Sequence, residues 1–137
     1  MMKYLFFLLL APLLCYAGGN EIPDYMQVHK PFLSMTCIDE KTQHTMDQCG
    51  ERSLASATSR MNALLDLLKK NNVSAEPDLF KLLQTSQLAW ETYMESSCKV
   101  ETYDSRHGSG FHSILNACHE AKINERISFL SWMMDNP

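Results

Sequence analysis

The sequence predicts an all-α fold: an antiparallel helical bundle or hairpin of about three helices, braced by two disulfides. Apolar residues recur at helical spacing along most of the chain beyond residue 36. No convincing alternation of the kind a half-buried strand requires occurs there. Four cysteines remain once an N-terminal leader is set aside, an even number of the sort that staples small exported domains.

The leader comes first because it sets the chemistry of the cysteines. "MMKYLFFLLLAPLLCYAGG" carries one basic residue, Lys3, an apolar run from Leu5 to Leu14, and then the small residues Cys15 and Ala17 at a cleavage position. This is the layout of a secretory signal peptide over residues 1–17, and the run is too short to span a bilayer. Acylation of Cys15, as in a lipoprotein, competes with it, but Leu14 stands where lipoprotein processing wants a small residue. Losing Lys3 takes the 12 basic residues to 11 against 16 acidic ones, so the net charge moves from −4 to −5. A mildly acidic surface disfavours nucleic acid and suits a basic partner. No second membrane-spanning run appears, so no membrane insertion is expected after leader cleavage.

Residues 18–36, "GGNEIPDYMQVHKPFLSMT", hold two glycines and two prolines without period and read as an extended lead to a single helical domain over residues 37–137. The spacing of Met46, Cys49, Leu54, Ala57, Met61, Leu64, Leu65 and Leu68 predicts a first helix from about Thr45 to Lys70, roughly 39 Å long. Lys69 and Lys70 suit its negative end and the asparagines after them suit a turn. Ser74 or Glu76 opens a second helix, with Pro77 in its first turn. Its expected buried stripe is Leu79, Leu82, Leu83, Ser86, Trp90, Tyr93, Met94 and Ser97, with Trp90 and Tyr93 packed on the other two helices. "YDSRHGSG" breaks the pattern, and Phe111, Ile114, Leu115, Cys118, Ile127, Leu130 and Met134 mark a third helix.

In an up-down-up bundle Cys37, Cys49, Cys98 and Cys118 all fall at one end. Matching their heights favours Cys37 with Cys98 and Cys49 with Cys118; a bridge closing a loop of about sixty residues stabilises the fold by roughly 4 kcal/mol. A nucleophilic cysteine with His107, His112 or His119 as base is disfavoured in an oxidising compartment. A zinc site is disfavoured because the Cys37 to Cys49 and Cys98 to Cys118 spacings are wider than zinc knuckles. Methionine binding of copper has the plainer alternative of core filling by Met46, Met61 and Met94. "GSG" at 108–110 follows no strand and is no phosphate cradle. "NVS" at 72–74 fits a glycosylation acceptor but is too short to carry weight. Glu91, Glu95 and Glu101 read as a solvated helix face rather than an acid and base pair. No enzyme, cofactor or metal is expected.

The segments "TQHTMDQC", "QLAWETYMESSC" and "NACHEAKINERISFL" together resemble the LprI-type lysozyme-inhibitor family, small exported four-cysteine helical proteins. Thr42, Gln43, Met46, Cys49, Asn62, Gln87, Trp90, Tyr93, Cys98, Cys118, Glu125 and Arg126 stand at matching positions. Met94 replaces an expected arginine and Leu65 an expected tyrosine, which exchanges polar groups for apolar packing. The resemblance implies a periplasmic or secreted inhibitor that binds a lysozyme-like peptidoglycan hydrolase. An immunity protein against a cell-wall-degrading toxin, or an envelope adaptor without inhibitory activity, are the alternatives. The expected partner-binding residues are Tyr103, Asp104, Arg106, His107 and His112, in a loop whose ends Cys98 and Cys118 hold still. Arg106 suits one of the two carboxylates of a glycosidase cleft.

Overall fold

The computed structural model describes residues 29–37, 39–72 and 75–136. The expected leader with Cys15, residues 18–28 of the lead, and Val73 and Ser74 of the N-V-S triplet lie outside the described residues. Three helices form the domain: α1 Gln43–Asn72, α2 Pro77–Glu101 and α3 Phe111–Asp135. Among the described residues there is no strand, and no helix is long and apolar enough to cross a membrane.

Helix α1 starts two residues before the expected Thr45 because Thr42 caps it. The Thr45 N–H donates to Thr42 Oγ1 at 3.1 Å, and the Thr42 N–H donates back to Thr45 Oγ1 at 3.3 Å. This reciprocal box satisfies N–H groups that a helix start leaves without intrahelical partners. Its buried row, Cys49, Ser53, Ala57 and Met61, then Leu68, follows the expected spacing with one polar addition, Ser53.

Helix α3 is the centre of the molecule. Asp47 meets Ser113, Ser53 meets Glu120 and Arg60 meets Asn124, so α1 and α3 run parallel along their most extensive interface. Gln87 meets Arg126 and Cys98 meets Cys118, so α2 runs antiparallel to α3. This is the up-down-up order. With α1 on one side, α2 on another and residues 29–36 across a third, α3 buries several faces at once, which is why Asn116, Glu120 and Arg126 are buried beside Ala121, Ile123 and Leu130.

Helix α2 is turned relative to the expected stripe. Leu83, Gln87 and Cys98 are buried, with Trp90 and Met94 half-buried against the core. Leu79, Leu82, Ser86 and Tyr93 are exposed instead, which corrects the expectation that Tyr93 packs inside. Gln87 and Cys98 take the inward places because each has a bonding partner on α3.

The described part of the lead is a strap. It makes a 3₁₀ turn at Lys30–Phe32 and then crosses the α1/α3 seam. The Ser34 N–H donates to Glu120 Oε1, the Met35 N–H donates to Ser53 Oγ at 3.1 Å, and Asn124 Nδ2 donates to the Phe32 carbonyl.

All four cysteines do lie at one end, but the pairing is Cys37 with Cys49 and Cys98 with Cys118. The expected Cys37–Cys98 and Cys49–Cys118 bridges are corrected by two features of register. Asp47 faces Ser113 and Ser53 faces Glu120, so Cys49 falls short of Cys118 along α3. The strap also lays Cys37 back along α1, while the first turn of α3 overhangs the end of α2 and brings Cys98 level with Cys118.

Candidate functional site

The loop joining α2 to α3 is held at both ends. Thr102, fully inside, donates from Oγ1 to the Cys98 carbonyl at 2.7 Å, and its N–H reaches the same oxygen at 3.0 Å. A 3₁₀ turn follows at Tyr103–Ser105. The Gly108 N–H donates to the Ser105 carbonyl at 2.9 Å, and the Phe111 N–H donates to the Gly108 carbonyl at 3.2 Å. Beneath these turns Cys98–Cys118 fixes the two helices that enter and leave.

On this frame Tyr103, Asp104, Arg106, His107 and His112 are all exposed. Arg106 folds back on its own turn: Nη1 donates to the Tyr103 carbonyl at 2.7 Å and the guanidinium lies 3.7 Å from the Tyr103 ring centroid. His112 stands on the first turn of α3, its Nε2 2.9 Å from Glu51 Oε1 of α1. The structure therefore brings Tyr103 and Arg106 together, while His112 faces α1.

Three polar clusters that the sequence reading did not assemble hold this end of the bundle. In the first, Gln43 Nε2 donates to Asp47 Oδ1 at 2.7 Å and to Ser113 Oγ at 3.2 Å, and Ser113 Oγ donates to Asp47. The hydrogen bonds from Ser113 and Gln43 hold the Asp47 carboxyl below its ordinary value. In the second, Glu101 accepts from Lys122 Nζ at 2.7 Å and Ser97 Oγ at 2.8 Å, and its other oxygen lies 3.3 Å from His29 Nε2. Burial alone raises the Glu101 value, but these partners outweigh it and the carboxyl titrates below its ordinary range. In the third, buried Glu120 accepts from Ser53 Oγ at 2.6 Å and from the strap. Ser53 continues the four-residue row of Cys49, Ala57 and Met61, so its inward place was legible; the row names no partner.

Under the strap, beside Glu120, is a groove of about 270 Å³ lined chiefly by Leu33, Met35, Met46, Ile114 and Ala117, with Lys30 also bordering it. Among the described residues no group of three or more histidines, cysteines, aspartates or glutamates is placed to hold a metal ion.

His119 is half-buried between α2 and α3, with its shielded Nε2 lacking a hydrogen-bond partner among the described residues and Glu95 3.8 Å away. Burial lowers its pKa; Glu95 pulls the other way and the Lys99 charge adds to the lowering. A depressed histidine value means that the unfolded chain takes up the proton first as pH falls. The stability tied to neutral His119 is therefore full above about 6.5 and is lost as pH falls through the lower folded value. Urea melts at pH 7.5 and 5.5 should show a smaller acid loss for His119→Gln than for the native chain. Equal losses would show that His119 is not the sensitive group.

Above the staples, Arg126 crosses from α3 to α2. Its Nε donates to Gln87 Oε1 at 3.0 Å and its Nη2 to Ser86 Oγ at 3.1 Å, while the guanidinium lies 4.8 Å from the Phe129 ring centroid and 5.6 Å from that of Trp90. Gln87 Nε2 turns to Glu91 Oε1 at 3.1 Å. Met94 and Leu65, the two departures from the family pattern, are half-buried against the apolar core.

The residues that carried the resemblance thus have physical tasks. Thr42 caps α1, Gln43 ties α1 to α3, Gln87, Trp90 and Arg126 lock α2 to α3, and the cysteines staple one end. Asn62, Tyr93 and Glu125 are exposed. The comparison with curated proteins and the comparison with solved structures each yield no match. The family model described as lysozyme inhibitor LprI matches residues 36–130, which takes in α1, α2, both disulfides and most of α3, and the chain belongs to that family.

Proposed function

We propose that the chain is a periplasmic protein that inhibits a lysozyme-like peptidoglycan hydrolase by binding it, after removal of residues 1–17 as a signal peptide. The observation that carries this reading is membership of a lysozyme-inhibitor family over residues 36–130. An inhibitor of this kind needs a rigid surface rather than a reactive group, and the braced end of the bundle supplies one. The loop's exposed side chains stand on a backbone already ordered by turns and a disulfide, so little freedom remains to be lost on binding. Arg106, positioned by Tyr103, offers a guanidinium edge to a carboxylate of the hydrolase cleft, with Asp104, His107 and His112 as neighbouring polar contacts.

Calorimetric titration of the mature chain against a lysozyme, paired with an assay of peptidoglycan clearing, tests this. The native chain should bind and inhibit. Replacing Arg106 and His107 by alanine should weaken binding at least about tenfold while leaving the melting curve in place, because both side chains are exposed. Unchanged affinity would remove the loop from the interface, and absence of inhibition by the native chain would remove the function.

A further inference from the structure

Helix α2 carries two seams. The inner one, Leu83, Gln87, Trp90, Met94 and Cys98, packs on the bundle. The outer one consists of Leu79, Leu82, Tyr93 and Val100 with the small residues Ser86, Ala89 and Ser96 between them, in steps of three and four. That is the a and d spacing of a heptad, sustained for the length of the helix. All of these residues are exposed, Leu82 at 68%, Tyr93 at 57% and Val100 at 76%. Four large apolar side chains left in water along one line of a helix mark an interaction surface, and the heptad spacing of that line fits another helix.

We propose that the occupant is a second copy of this chain, its α2 lying antiparallel across a two-fold axis near the middle of the helix. The flank of the seam turned away from the core carries Asp78, Thr85, Thr92 and Lys99, all exposed. In an antiparallel pair this flank meets itself. Asp78 of each copy then faces Lys99 of the other, and Thr85 faces Thr92, so the charges are self-complementary as an isologous interface requires. A parallel pairing sets no opposite charges together along this flank, because Asp78 then faces the apolar Leu83 side. The side chains also fit the antiparallel register. Tyr93 lies over Leu82 of the other copy at two symmetric places, and Ser86 meets Ala89 at the centre, where small residues let the helices approach.

Sedimentation equilibrium of the mature, oxidised chain tests this. A reversible dimer is expected. Leu82→Glu should be monomeric and melt as the native chain does when diluted below its dimer dissociation constant, and Tyr93→Glu should behave alike. Asp78→Lys, which opposes lysines at both ends of the pair, should raise the dimer dissociation constant about tenfold. Adding Lys99→Glu to that variant should restore it. A chain that stays monomeric up to about 1 mM, a dimer that survives both glutamate substitutions, or a charge exchange that fails to restore association would each overturn the proposal.

Discussion

Replacing Leu130 by alanine should lower the unfolding free energy by about 3 to 5 kcal/mol, the upper part of the range for a buried leucine. Both disulfides lie at the opposite end of the bundle, so the end where α1 and α3 finish and α2 begins is closed by apolar packing. Leu68 from α1, Leu83 from α2 and Leu130 from α3 form part of one buried cluster there, and Leu130 is fully enclosed. Truncation leaves a cavity between three helices that share this contact, and the lost transfer energy and lost packing add. Against a total stability of about 5 to 15 kcal/mol for a small domain, the variant should melt at a much lower urea concentration with an unchanged slope. A loss below about 1 kcal/mol would show that this end is frayed in the native chain.

Removing the Cys98–Cys118 bridge by changing both residues to alanine should cost about 3 kcal/mol in the chain-entropy model. This is less than the roughly 4 kcal/mol that sixty-residue loops imply, because the bridge spans 20 residues. Both sulfurs are fully buried, so part of the loss is packing. The Cys37–Cys49 bridge spans only 12 residues and ties the strap to α1. Its removal should free the strap while the helices persist. Denaturant melts of the two double variants, read by circular dichroism, check this: the midpoint should fall more for Cys98 with Cys118 than for Cys37 with Cys49. The reverse order would mean that the strap, rather than the α2–α3 staple, holds the bundle together.

Much of the architecture was legible in local pattern. Helical spacing from Met46 to Leu68 placed α1 and its inward face, and Pro77 and the "YDSRHGSG" break placed the ends of α2 and the start of α3 to within a few residues. Capping made the difference at α1, where Thr42 and Thr45 close a box that starts the helix at Gln43. The loop from Tyr103 to Gly110 was likewise visible from its composition, and all of its expected binding residues are at the surface.

The inward face of α2 was legible only in part: Leu83, Trp90 and Met94 of the expected stripe do face the core, while Leu79, Leu82, Ser86 and Tyr93 do not. That helix has apolar residues on two seams, and periodicity alone gives no reason to prefer Leu83 and Trp90 over Leu82 and Tyr93. Arg126 breaks the tie from 39 residues away by bonding Gln87.

Composition, spacing and cysteine number specified three helices, their order and two bridges at one end, because a helix is set by contacts within a few residues and an even set of cysteines pairs wherever the surroundings are oxidising. Which cysteine meets which, which face of α2 turns inward and where the strap lies came from the packed molecule. Those outcomes depend on how far one helix slides along another, and that is fixed by contacts such as Ser53 with Glu120 and Gln87 with Arg126, between residues that are remote in the chain and adjacent only once it has folded.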